Sequence, residues 1–266
     1  MDHQVTVQQP IIRFVDDELR ELSDEVAIEY PLTVVVDGEE FATMVCSPTY
    51  IEELVIGFLA SEGLIRSSDE ILSLTLDEQR GFAYVELKYK QSISKDFHSK
   101  RFIGSCCGKS RQFYLQNDAR TARTVLSKNT ITVDQCFALV NQMQNSSLDF
   151  KVTGGVHNAA LCTSDGMLIF RTDIGRHNAL DKIFGYMIQN RISPADKVIV
   201  FSGRISSEVL LKVAKMGVGI ILSKSAPTSL ALELAKDLEI TAIGFVRNSS
   251  MNIYTHPQRL VTYSLR

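Results

Sequence analysis

A chain of 266 residues that is 45% apolar and 22% charged can bury a large core, which excludes global disorder and suits one large domain plus a smaller one. Its net charge of −3 supplies no protein-wide positive field for nucleic acid. No apolar run approaches the roughly 18 residues of a membrane span, residues 1–10 lack the basic-then-apolar order of a signal peptide, and five cysteines, scattered except for one touching pair, do not form a disulfide framework. The expectation is a cytoplasmic protein with reduced thiols, without nucleic-acid or membrane partners.

Residues 32–36 and 41–45 read as two strands around Asp37-Gly38, a dipeptide that tolerates the positive φ of a tight turn. Thr49 and Glu52 have the spacing of a capping box, and Ile51, Leu54, Val55, Phe58 and Leu59 recur at helical spacing until Gly63, which predicts an amphipathic helix. Residues 71–76 and 82–89 read as further strands. No period is sustained from Lys90 to Arg120, so this segment is expected to be a long exposed loop, a feature often kept for function. It overlaps a basic stretch in which Lys88, Lys90, Lys95, Lys100, Arg101, Lys109 and Arg111 are set against Asp96 alone. Thr132 and Gln135 then open a helix marked by Val133, Phe137, Val140 and Met143.

The second half changes character. Residues 159–162 and 168–171 read as strands flanking a Ser164-Asp165-Gly166 turn, and Ala179, Leu180, Ile183, Phe184, Met187 and Ile188 give a broad helical face. Beyond Pro194 strands and helices alternate: strand 198–201, helix 208–216, strand 218–222, helix 230–238 and strand 240–246. Strands this apolar, joined by helices, predict a parallel sheet covered on both faces. Ligands of such sheets bind beyond the carboxyl ends of the strands. Ser202-Gly203-Arg204, Ser223-Lys224-Ser225 and Arg247-Asn248-Ser249-Ser250 each follow a strand, so small, polar and cationic groups are expected on one rim, with Arg204, Lys224 and Arg247 as phosphate ligands.

Cys106 and Cys107 lie between Gly104-Ser105 and Gly108-Lys109-Ser110-Arg111. Cationic neighbours can bring a cysteine from about 8.5 down to roughly 3.5–7.5, which makes a thiolate nucleophile able to accept and surrender sulfur; an inert pair is the alternative. Structural zinc sites space their cysteines two to four residues apart and need a second pair, and His157 is followed by Asn158 and Ala159 rather than the residues of a zinc deaminase, so no zinc is expected. The stretches from Thr153 to Asn158 and from Thr172 to Asn178 each set glycine beside an imidazole at an element boundary. There Arg176 and His177 suit a phosphate or pterin ring, and Asp173 suits a helix cap or an orienting role for His177; satisfaction of turn backbone is the alternative. Cys46, Cys136 and Cys162 fall on apolar faces and read as core.

Taken together, the segments 53–63, 153–158, 173–182, 202–204, 225–231 and 244–247 resemble the formate dehydrogenase accessory sulfurtransferase family, FdhD, in a match running from about Tyr30 to the C-terminus. The resemblance implies an α/β protein: residues 1–128 form a smaller N-terminal α+β domain ending in the cysteine-bearing loop. Residues 129–266 form a three-layer domain similar to cytidine deaminases, with a mostly parallel sheet. It implies a homodimer that takes persulfide sulfur from a cysteine desulfurase and passes it to bis-molybdopterin guanine dinucleotide before that cofactor enters formate dehydrogenase. The family's C-G-x-C motif is replaced here by Cys106-Cys107-Gly108-Lys109-Ser110. Alignment on Cys-Gly makes Cys107 the carrier and Cys106 its helper, and the guanine-dinucleotide contacts carry over to Phe245, Val246, Arg247, Asn248, Ser249 and Ser250.

Overall fold

A computed structural model describes residues 4–89, 101–103, 122, 124–247 and 249–261. The chain opens with β1 (Thr6–Val15) and β2 (Glu18–Ala27), an antiparallel ribbon that pairs with no third strand among the described residues. This hairpin has no counterpart in the sequence reading. Its turn is made by Asp16 and Asp17, both at positive φ, without the glycine that usually signals one.

Next come β3 (Tyr30–Val36), β4 (Glu39–Cys46), helix α1 (Ile51–Ser61), β5 (Ile71–Asp77), β6 (Phe82–Leu87) and β7 (Arg101–Ile103). They form a five-stranded sheet in the order β5-β6-β3-β4-β7, with Asp37 and Gly38 at positive φ in the β3–β4 turn as expected. The helix forms where its apolar period places it, but the Thr49–Glu52 capping box does not. Tyr50 occupies the cap in a left-handed conformation, with no side-chain hydrogen bond to the first turn.

A short β8 (Ile131–Thr132) leads into α2 (Val133–Ser146). Here the expected capping box is present: Gln135 N donates to Thr132 Oγ1 and Thr132 N to Gln135 Oε1. There follow α3 (Leu148–Thr153), β9 (His157–Thr163), β10 (Gly166–Asp173), α4 (Arg176–Gln189), β11 (Val198–Phe201), α5 (Ser207–Met216), β12 (Ile220–Ser223), α6 (Ser229–Asp237), β13 (Thr241–Arg247), β14 (Ser250–Ile253) and β15 (Leu260–Val261).

The larger sheet has the order β10-β9-β11-β12-β13-β14. It is mixed rather than mostly parallel. The pairs β11–β12 and β12–β13 are parallel, joined by right-length helical crossovers, whereas the β9–β10 hairpin and β14 add their strands antiparallel. Both faces are covered. Ile199, Phe201, Ile221 and Ala242 pack under α4, α5 and α6, while Val198, Val200, Ile220 and Leu222 turn to α2. Among the described residues no helix is long and apolar enough to cross a membrane.

The two sheets meet through α1 and α4. Phe184 and Ile188 of α4 pack on the core of the smaller sheet. Arg171 donates to both carboxylate oxygens of Glu53, at 2.5 and 2.7 Å, and its guanidinium lies 3.7 Å from the Tyr50 ring centroid. Asp181 accepts from Ser61 Oγ at 2.6 Å and from Lys212 Nζ at 2.5 Å.

Candidate cofactor-binding rim

Because β11, β12 and β13 run parallel, the segments that follow them are neighbours at one end of the sheet. Short bonds lock them together. Ser223 Oγ donates to Gly203 O at 2.7 Å, Ser225 N donates to Ser223 Oγ at 3.0 Å, and Phe245 N donates to Ser225 O at 3.2 Å. The polar residues expected after each strand thus serve partly as mortar for the rim.

At its far side the pairing of β13 with β14 slips between Gly244 and Arg247, and Phe245 takes a positive φ of 53°. The bulge turns Phe245 and Arg247 outward and sends Val246 into the core. Arg247 sits 5.8 Å from the Phe245 ring centroid, and its Nε donates to Lys224 O. A cation and an aromatic face are thereby presented together, with Ser249 and Ser250 exposed beside them. Val246 has only its backbone to offer. Arg204 is exposed after β11, and Lys224 is half-buried after β12.

The near side is built from antiparallel β9, whose register sets Ala159 opposite Phe201. Ser202 N donates to Asn158 O, and Asn158 N donates to Ser202 Oγ at 2.9 Å, so His157 lies on the same rim as Ser202 and Gly203. Asp173 is the register partner of His157 across β10, and three residues later α4 begins with Arg176 and His177.

Asp173 is fully buried and holds this corner together. Its Oδ1 accepts from Gly175 N at 2.8 Å and from Asn178 Nδ2 at 2.9 Å, which fixes the turn leading into α4. Its Oδ2 accepts from Ser47 N at 3.0 Å and faces Lys182 Nζ at 2.7 Å. Asp173 thus takes neither role the sequence suggested: the cap residue of α4 is Gly175, with no side-chain hydrogen bond to the first turn, and the carboxylate is turned to Lys182 and Ser47 instead of to His177. His177 has a different carboxylate at its side, Glu208 of α5, with 3.2 Å between Nε2 and Oε2. Sequence reasoning passed over Glu208 and Ser47 because their partners are distant in the chain.

Burial first, then the charges of Arg176 and His177, lower the pKa of His157 below its ordinary value. Cys46, Cys136 and Cys162 are buried thiols, as their apolar setting suggested. Cys106, Cys107, Lys109, Arg111 and Asn248 lie outside the described residues. Among the described residues no three His, Cys, Asp or Glu side chains stand together as metal ligands would.

The FdhD/NarQ family model matches residues 27–261. Proteins called sulfur carrier protein FdhD are similar along almost the whole chain. The one from Bacillus subtilis is 55% identical, covering 98% of this chain and 99% of its own, and the one from Halalkalibacterium halodurans is 57% identical, covering 98% of each. In fold, the chain matches the crystal structure of a candidate formate dehydrogenase accessory protein from Desulfotalea psychrophila with a TM-score of 0.80 at 24% identity, over 97% of this chain and 100% of that one. Family model and relatives agree in extent as well as in kind, and the chain belongs to the FdhD/NarQ family.

Proposed function

We propose that this protein is a cytoplasmic, homodimeric sulfurtransferase that carries persulfide sulfur from a cysteine desulfurase to bis-molybdopterin guanine dinucleotide, which then enters formate dehydrogenase. The relatives' shared name, sulfur carrier protein, supports the carrier role. One observation supports the cofactor's place: Arg204 and Lys224 follow β11 and β12, and Arg247 ends β13, three adjacent parallel strands, with the exposed ring of Phe245 beside Arg247. Three cations at the carboxyl end of a sheet suit a pyrophosphate, and an aromatic face suits a base. The division of labour follows the two parts of the chain: thiols within residues 1–128, cofactor on the deaminase-like part, residues 129–266.

In the carrier step the Cys107 thiolate attacks the outer sulfur of the donor's persulfide. A sulfur–sulfur bond forms on Cys107, the donor's own breaks, and the donor leaves as thiolate. Lys109 and Arg111 stabilise the attacking anion, and Cys106 stands beside it as helper.

Incubation with a cysteine desulfurase and cysteine, followed by mass spectrometry of the cysteine-bearing peptide, tests the carrier role: one added sulfur atom on Cys107 is expected. Delivery is tested with Cys107→Ser, which should leave formate dehydrogenase inactive. A chaperone that only shelters the cofactor would tolerate loss of both thiols yet fail on Arg247→Ala.

A further inference from the structure

The corner where β9, α4 and α5 meet contains two imidazoles that the cofactor's phosphates would approach. His157 opens β9 and is partly exposed on the rim. Gly203 leaves the space beside it clear: a Cβ there would come within 3.0 Å of the Phe201 ring and 3.6 Å of His157 Nδ1. His177 follows at the start of α4, a 14-residue helix whose cap residue Gly175 has no side chain to satisfy the first-turn amides. Its Nε2 stands 3.2 Å from Glu208 Oε2 without hydrogen-bond geometry, and among the described residues that buried nitrogen has no hydrogen-bond partner.

The charges facing this corner are unbalanced. Arg176 and His177 approach His157 from α4, Asp173 from β10, and Glu208 from α5 on the far side of His177. Asp173 is already matched by Lys182 at 2.7 Å, so its charge is spent locally. An anion arriving at the rim would supply the countercharge that His157 lacks.

We propose that His157 is a further ligand of the rim, which takes up a proton when a phosphate-bearing ligand binds, with the guanidinium of Arg176 and the ring of His177 as its neighbours. This rests on the reading of the rim as a cofactor site. Burial and the adjacent arginine keep the imidazole neutral in the free protein. A phosphate close by reverses that balance, because an opposite charge favours the protonated ring. Binding and protonation are then linked, and affinity rises as pH falls through neutrality, by at most about tenfold per pH unit for a single proton.

Guanosine diphosphate is the probe, titrated calorimetrically into the full-length protein in buffers of differing ionisation enthalpy. The difference between parent and His157→Gln isolates the imidazole, since titration of the nucleotide's own phosphate is common to both. The parent is expected to take up more protons on binding than His157→Gln, and the variant's affinity should depend less steeply on pH. Equal proton uptake by the two proteins would overturn the inference while leaving the cofactor site intact. Should His157→Gln fail to fold, His157→Asn replaces it in the same comparison, and equal proton uptake by that variant and the parent overturns the proposal. Failure of the parent to bind guanosine diphosphate at all would sink the cofactor reading, and the inference with it.

Discussion

Gly57 and Gly185 face one another where α1 crosses α4, and each lies against the backbone of the opposite helix. A Cβ on Gly57 would fall 1.8 Å from Asp181 O, and one on Gly185 would fall 1.9 Å from Glu53 O. Only hydrogen fits at this crossing, so it fixes how closely the smaller sheet can approach the larger.

Alanine at either glycine must push the helices apart and disturb the bonds around Glu53 and Asp181. Gly57→Ala is expected to cost about 3 kcal/mol or more, read from urea denaturation. Gly38→Ala, where nothing stands within 4 Å but φ is +87°, should cost less, on the order of 1 kcal/mol.

Arg171 and Glu53 have side chains only 10% and 13% exposed. Removing one strands the other in a dry site, so Arg171→Met should lose about 3–5 kcal/mol. Adding Glu53→Gln should recover part of that loss, which a double-mutant cycle measures.

Neither the glycine crossing nor the Arg171–Glu53 pair has a local signal in the sequence. Helix α2 and the alternating second half were legible, because apolar period, capping residues and turn dipeptides are local signals. The Thr132–Gln135 box formed, whereas the similar Thr49–Glu52 spacing did not, since Tyr50 stacks on Arg171, more than a hundred positions away. The β1–β2 ribbon escaped notice because its turn is Asp16-Asp17 and the apolar residues of β1, such as Ile11 and Ile12, do not alternate with polar ones. In the site, strand ends revealed Arg204, Lys224 and Arg247. The bulge at Phe245 and the Glu208–His177 contact depend on tertiary register, which no spacing encodes.

Burial pushes the thiols of Cys136 and Cys162 up to about 12, and it likewise raises Cys46, where the Asp173 carboxylate adds to the effect. None of the three should react with iodoacetamide in native protein near pH 8. Peptide mapping is expected to find alkylation confined to Cys106 and Cys107 until denaturant is added.

His157 also affects stability. Its folded pKa lies below the ordinary 6.5, so between those two values the unfolded chain binds more protons than the folded one. Stability supported by the neutral ring is therefore present at neutral pH and lost as pH falls through 6.5 towards the folded value. Denaturation midpoints of His157→Gln should fall less between neutral and mildly acidic pH than those of the parent.

Arg247 is the exposed cation at the bulge. Arg247→Ala is expected to weaken binding of guanosine diphosphate by roughly tenfold to a hundredfold, the worth of one charge-assisted hydrogen bond. Folding should be little affected, since among the described residues the exposed side chain makes a 3.4 Å bond to Lys224 O and a contact with the exposed Phe245 ring; circular dichroism and calorimetry together check this.

Asp173 draws its ligands from both halves of the molecule: Ser47 at the end of β4, and Gly175, Asn178 and Lys182 at the head of α4. A strain or substitution felt in the smaller sheet is thus transmitted to the ground on which the nucleotide would stand. Evolution could not have borrowed that landing place as a separable module; whatever loosens one half must blunt the grip of the other, and the two should melt as a single body.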